Sequence, residues 1–299
     1  MNSTINKSKI VCFGEVLFDV FPTHTKIGGA PLNVGLRLAS LGIETKIISR
    51  IGQDAKGKEL LDFIEANDVS TTYIQTDSHF STGEVTVKLD EKGSASYTIN
   101  YPVAWDKIEA TPEAHDIVSL ADAVVFGSLV CRDTASYQSL LSLLNVAKYK
   151  IFDVNLRAPF YTKELLSDLM NKADFIKFND DELYEISANL GSPYHSLEQN
   201  MLFIAEKTNT QHICVTKGSH GAVLFYNDQL FYNSGYKITV ADTVGAGDSF
   251  LAGLLSKLLA GIAPQEAINF ACALGALVAQ EEGANPKISP EAIAEFMQI

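Results

Sequence analysis

Arginine is scarce in this chain, with four among 299 residues, and its 23 basic side chains are outnumbered by 36 acidic ones. A net charge of −13 leaves no basic patch able to neutralise phosphates along a nucleic acid, which excludes that class of partner. No run of 18 apolar residues occurs, so no segment reads as membrane-spanning and no membrane partner is expected. The stretch Met1 to Ile10 is polar and lacks the apolar core of a secretion signal. Cys12, Cys131, Cys214 and Cys272 are scattered through apolar segments without a C-x-x-C pair or a histidine cluster. They read as reduced core residues of a cytoplasmic protein. A G-x-G-x-x-G turn after the first strand is also missing, and with it the signature of an NAD-dependent oxidoreductase. Repeats, low-complexity tracts and long linkers are absent too. What remains is 46% apolar, enough to bury a full core in one large α/β domain or two smaller ones.

Against these absences stands Asp242-Thr243-Val244-Gly245-Ala246-Gly247-Asp248-Ser249-Phe250. Small residues run straight into a helix marked by Phe250, Leu251, Leu254, Leu255, Leu258 and Leu259. The Gly245-Ala246-Gly247 turn therefore lies at a helix N-terminus, where free N–H groups and the dipole favour an anion. Asp248 adds a carboxylate beside a place suited to negative charge. That pairing makes chemical sense when the carboxylate takes a proton from a nucleophile attacking a phosphoryl group. A glycine turn followed by a capping Asp would show the same letters.

A second glycine turn, Gly28-Gly29-Ala30-Pro31-Leu32-Asn33-Val34-Gly35, opens another helix that stops at Gly42. Gly28 and Gly29 can bring bare backbone to a small polar ligand, and Asn33 offers a donor and an acceptor to a sugar hydroxyl. Together the two turns resemble the two signature motifs of the ribokinase-like (phosphofructokinase-B) sugar kinases, and intermediate segments fit in order along nearly the whole chain.

The intervening pattern predicts a strand from Lys9 to Phe21, short apolar runs at 124–126, 151–154, 175–178 and 212–215, and helical stretches such as 134–147 and 162–171. Such alternation predicts a mostly parallel sheet with helices on both faces, and ligands at the carboxyl ends of its strands. Asn155, Asn179 and Lys217 follow three of those strands and converge on one cleft. Two β-rich runs, Glu84–Leu89 and Ala95–Asn100, flank Asp90-Glu91-Lys92-Gly93 and predict a hairpin that breaks the series. The resemblance implies a three-layer ribokinase-like fold, a single domain over 1–299, and a β-sheet lid from about 15–27 and 82–104 that can pair with a second copy. An edge hairpin extending the main sheet fits the same residues.

The resemblance also assigns roles. Asp248 becomes the general base, with the Gly245, Ala246 and Gly247 N–H groups as the anion hole and Arg157, in Asp153-Val154-Asn155-Leu156-Arg157, as a phosphate ligand; a structural ion pair would also suit that arginine. Asp19, Gly28, Gly29, Asn33 and Asn155 would bind the sugar. Asn179 and Glu182 match an N-x-x-E motif implied to place Mg²⁺ and phosphate through water, although an acidic helix start is also ordinary capping. Thr216, Lys217, Gly218 and Gly221 resemble the nucleotide loop and could equally be a plain hairpin turn. Cys272 stands in the adenine wall where many relatives have Asn. A monovalent cation, K⁺, is implied near Asp242 and Gly283.

Gly52 to Glu59 nearly spells a P-loop, but Glu59 replaces the hydroxyl residue that would ligate Mg²⁺. The expected activity is ATP-dependent phosphorylation of a sugar. Gly14-Glu15, Gly28 to Pro31, Asp153 to Arg157 and Tyr97 to Asp106 look most like fructokinases, which implies D-fructose phosphorylated at its 6-hydroxyl. Kinases of 2-keto-3-deoxygluconate or ribose are the alternatives within the family. A catalytically silent sugar sensor is the alternative outside it, and retention of Asp248, the glycine turn and Arg157 argues against that.

Overall fold

The computed structural model describes residues 8–89 and 95–298. The chain opens with β1 (Lys9–Phe13), β2 (Leu17–Val20), β3 (Thr25–Gly28), α1 (Ala30–Ser40), β4 (Glu44–Gly52), α2 (Ala55–Ala66) and β5 (Ile74–Asp77). Next come β6 (Gly83–Leu89), β7 (Ala95–Ile99), α3 (Pro112–Leu120), β8 (Ala123–Gly127), α4 (Thr134–Leu144), β9 (Lys150–Asp153), α5 (Lys163–Lys172), β10 (Phe175–Asn179) and α6 (Asp180–Asn189). The last third holds α7 (Leu197–Thr208), β11 (His212–Thr216), β12 (Ala222–Tyr226), β13 (Gln229–Asn233), α8 (Ala246–Leu259), α9 (Pro264–Ala279) and α10 (Pro290–Phe296).

The strands form a nine-stranded sheet in the order β13-β12-β11-β10-β9-β8-β1-β4-β5 and a separate four-stranded sheet β3-β2-β6-β7. From β11 to β5 every pairing is parallel; β12 and β13 join antiparallel at one edge. Alternate side chains of one buried strand feed opposite cores, as the period of two requires. Val11 and Phe13 of β1 pack with Val118, Leu140, Leu169 and Met201 from the helices of one face. Ile10 and Cys12 pack with Val34, Leu38, Leu254 and Ile268 of α1, α8 and α9 on the other. The result is the expected three-layer α/β arrangement. None of the described helices is long and apolar enough to cross a membrane.

The reading of Lys9 to Phe21 as one strand is corrected. β1 ends at Phe13, and Leu17–Val20 belongs to the small sheet. The break falls at Gly14, where a Cβ would lie 2.6 Å from Pro31 Cγ, so the chain passes tightly under the start of α1. The expected hairpin is present as antiparallel β6 and β7, and it pairs with β2 rather than extending the main sheet. Its tip, Asp90 to Gly93, lies outside the described residues.

The return from the small sheet is fixed by one buried charge pair. Arg132 Nε and Nη2 donate to the Asp106 carboxylate at 2.7 and 2.9 Å, and Nη2 also donates to the Asn100 carbonyl just past β7. The guanidinium lies 3.9 Å from the Trp105 ring centre. Trp105 in turn roofs Gly83 at the start of β6, where any Cβ would meet Nε1 at 2.3 Å. Arg132→Met leaves Asp106 buried without its cation. Urea unfolding should show a loss of about 3–5 kcal/mol; a loss under about 1 kcal/mol would mean that the pair behaves as an exposed one.

Candidate active site

The second glycine turn forms the N-terminus of α8. Gly245 has φ +74°, and a Cβ there would sit 2.5 Å from Ala284 Cα, so glycine is required on both counts. No side chain caps this helix end, which leaves first-turn N–H groups unpaired within the helix. The Ala246 N–H, one of the three expected in the anion hole, is turned back to the Thr243 carbonyl at 3.3 Å.

Asp248 occupies the same first turn. Its Oδ2 accepts a hydrogen bond from Asn33 Nδ2 at 2.8 Å, which joins the two glycine motifs directly. Part of Asp248 reaches the cleft, yet packed protein withholds water from the carboxylate and, with the nearby Asp153 charge, pushes its pKa up to about 6. Asn33, Lys177 and Arg157 pull it back toward the charged form. Asn33 Oδ1 accepts from Asn285 Nδ2 at 2.9 Å, so both ends of the amide already face protein rather than standing open as expected for a sugar ligand.

Lys177 is a buried cation at the centre of the site. Its Nζ lies 3.0 Å from Asp153 Oδ1 and is the nearest group to Gly247, 3.6 Å from where a Cβ would be. Burial works against its charge, but Asp153, Glu182 and Asp248 outweigh it and push the pKa up. Asp153 Oδ2 has no partner. Lys177 is hidden in the sequence because Phe175-Ile176-Lys177-Phe178 reads as an ordinary apolar run. A lysine inside a strand buried on both faces was the available signal.

Asn179 and Glu182 form a capping box at the start of α6: Asn179 Oδ1 accepts from the Glu182 N–H, and Glu182 Oε2 accepts from the Asn179 N–H, each at 2.8 Å. Glu182 Oε1 also accepts from the Leu156 N–H at 2.9 Å and so clamps the turn at Asn155, which has φ +40°. Burial raises the Glu182 pKa against the pull of Lys177. This clamp delivers Arg157, an exposed side chain whose charge bears on Asp19, Glu15 and Asp248.

Asp19, on β2, stands over Gly28, where a Cβ would lie 2.8 Å from its Oδ2. Gly29, at φ +114°, passes within 2.4 Å (as a Cβ would) of the Glu15 carbonyl. Glu15 is buried, its Oε2 has no partner, and burial pushes its pKa up to about 7. On the far side, Thr216 to Gly221 connect antiparallel β11 and β12. Gly221 admits no Cβ, since the Asn233 carbonyl would be 2.0 Å away, while Gly218 faces open space. Burial pushes the Cys272 thiol up to about 12, against the pull of the Lys217 charge. Asp242 accepts from the Val244 N–H at 3.0 Å, the Gly283 N–H at 3.1 Å and Lys26 Nζ at 3.1 Å. Among the described residues no group of three or more His, Cys, Asp or Glu is arranged to hold a metal.

Known proteins resemble this chain in sequence and fold. The model of the pfkB family of carbohydrate kinases matches residues 2–292. A probable chloroplastic fructokinase of Arabidopsis thaliana is 28% identical over 99% of this chain and 84% of its own length. An uncharacterized sugar kinase of Pyrococcus horikoshii, solved in complex with ATP, superposes with a TM-score of 0.80 at 27% identity, covering 92% of this chain and 93% of that one. A fructokinase double mutant of Vibrio cholerae O395, holding fructose, ADP and potassium, shares the fold with a TM-score of 0.83 at 23% identity, covering 97% and 98%.

Two substitutions separate charges held at a cost from charges held in a pair. The folded pKa of Asp248, about 6, lies above its ordinary 3.8. The folded state therefore carries a penalty that is complete above about pH 6 and fades as pH falls toward 4. Asp248→Asn should melt no lower than wild type at pH 7.5, and any advantage should vanish near pH 4. Lys177→Met strands Asp153 and should lower stability by about 3–5 kcal/mol. Thermal melts across pH check both, and a destabilised Asp248→Asn at pH 7.5 would refute the desolvation argument.

Proposed function

The chain belongs to the pfkB family of carbohydrate kinases, and on that premise we propose that it transfers the γ-phosphoryl group of ATP to the 6-hydroxyl of D-fructose. The observation that carries this reading is Asp248 at an uncapped helix N-terminus, tied to Asn33 of the sugar-side motif at 2.8 Å. A base and an anion-binding turn lie one residue apart, as in-line phosphoryl transfer requires. The name of the Arabidopsis relative and the Gly28 to Pro31 and Asp153 to Arg157 segments favour fructose.

In this mechanism Asp248 accepts the hydroxyl proton as the oxygen attacks phosphorus. The N–H groups at Gly247 and the start of α8, with Lys177 beneath them and Arg157 at the rim, meet charge developing on the phosphoryl oxygens. Asp19 accepts hydrogen bonds from sugar hydroxyls over Gly28 and Gly29, and Asn155 borders the same space. The Thr216–Gly221 loop and Cys272 wall the nucleotide, in keeping with the ATP held by the Pyrococcus kinase. Mg²⁺ bound with ATP would neutralise its phosphates. The unpartnered Asp153 Oδ2 and Glu182 fit its water shell, since the site offers carboxylates without a closed ligand set. The Asp242 carboxylate already holds three donors, Lys26 among them, so a K⁺ ion there would rest on backbone carbonyls. The small sheet acts as the lid that excludes water, and Tyr97, 65% exposed on β7, marks the face on which a second copy would pair.

ADP release by the purified protein with Mg·ATP and a sugar panel tests this reading. Turnover should be best on D-fructose, fall about 10²–10⁴-fold or more in Asp248→Asn, and decline below about pH 6 as Asp248 protonates. Turnover on 2-keto-3-deoxygluconate or ribose instead would replace the substrate and keep the mechanism. Binding of a sugar without turnover would overturn the kinase reading in favour of a sensor.

A further inference from the structure

Four consecutive residues between α9 and α10 each touch the catalytic turn or its supports. The Gly283 N–H donates to Asp242 Oδ2 at 3.1 Å. Ala284 fills the space against Gly245, where a Cβ would be 2.5 Å from its Cα. Asn285 Nδ2 donates to Asn33 Oδ1 at 2.9 Å. The Pro286 carbonyl accepts from Arg37 Nη2 at 3.0 Å, and Arg37 Nε donates to Ser249 Oγ at 3.0 Å. Asp242 opens the loop, Gly245 is its N-cap, Ser249 follows the base, and Asn33 holds the base itself.

We propose that Asn285 is a positioning residue: by donating to Asn33 Oδ1 it orients that amide so that only its NH₂ faces Asp248, which gives the series of donors a single direction, Asn285 to Asn33 to Asp248. Asn33 is 5% exposed, so its oxygen has little access to water and depends on a protein donor. Without that donor the Asn33 oxygen is buried unpaired, and the amide is no longer held against turning over. Its oxygen would then face the Asp248 carboxylate, an arrangement that only a protonated Asp248 can satisfy. Asn285 Oδ1 is buried without a partner, so donation through Nδ2 is the oriented contact of this side chain. The other charges bearing on Asp248 are Asp153 on β9, Arg157 beyond it and Lys177 on β10, and Glu15 after β1 feels the Asp248 charge in return. None of them is bonded to Asn285, so its effect is separable from theirs.

The kinetic part of this inference rests on the sugar-kinase reading; the titration part does not. Protein labelled at the Asp carboxyl carbons gives the Asp248 midpoint by NMR, the signal being the one missing in Asp248→Asn. Asn285→Ala should raise that midpoint by about one unit, as expected for loss of a hydrogen bond to a charged group. Asn285→Asp keeps the shape but offers only acceptors, and should raise it at least as far. The acidic limb of kcat should move up with the midpoint while KM for ATP stays within about twofold. Midpoints that stay in place in both folded variants would overturn the proposal even if melting temperature or activity fell. A wild type inactive on every sugar, with midpoints that still move, would sink the kinase reading alone.

Discussion

To act as the proposed base, Asp248 has to stay ionised in a place where water is scarce and phosphate must come close. Desolvation and Asp153 both push it toward the neutral acid, and at about 6 its pKa is high enough to bind a proton from an alcohol in the transition state yet low enough to be empty at neutral pH. That balance is set by three groups from three separate segments: Asn33 in α1, Lys177 in β10 and Arg157 after β9. Each carries a second obligation. Lys177 neutralises Asp153, Asn33 is held by Asn285, and Arg157 is presented by the turn that Glu182 clamps. The carboxylates around the site thus serve one another's cations, which is how an enzyme with few arginines and an excess of acid can still build an anion site.

The topology explains why these groups meet. In a parallel sheet every carboxyl end faces the same way, so Glu15 after β1, Asn155 after β9 and Asn179 at the end of β10 open toward one edge. Helix α8 comes from the opposite face and aims its N-terminus at that edge, with its length buried against α1 and α9. The apolar residues that identify α8 in the sequence, from Phe250 to Leu255, are therefore also what holds the glycine turn in place. Packing and chemistry are specified by the same fourteen residues.

The parts of the site that could be read from the sequence are those in which spacing itself carries the physics. The two glycine turns announce close approach, and a carbonyl or carboxylate oxygen lies within 2.8 Å of where a Cβ would be at Gly28, Gly29 and Gly245. Asn179 and Glu182 were legible as a capping pair, and the capping box is there. The break after β1 was not legible, because Gly14-Glu15 interrupts an apolar pattern that otherwise continues to Phe21 without a change of period. Asn285 was invisible for a different reason. Its partner, Asn33, is 252 positions away, and nothing local distinguishes a tail asparagine that steers a base from one that meets only water. The amide of Asn33 is legible as a donor and an acceptor, but its two partners within the fold, Asp248 and Asn285, lie too far along the chain to be read from spacing.

The small sheet is coupled to this machinery at its inner edge. Asp19 and Lys26 are cross-strand partners on β2 and β3, so one register point presents two opposite charges. Asp19 leans over Gly28, on the sugar side, while Lys26 reaches Asp242 at the root of the glycine turn. Both side chains of the Lys26–Asp242 pair retain some exposure, so the pair adds little stability. Its consequence is geometric. The β2–β3 ladder thus links Asp19, a sugar ligand in the proposed site, to the residue that opens the glycine turn. Arg132 holds the other side of the same sheet to the body through Asn100, so both edges of the sheet are tied to the larger one.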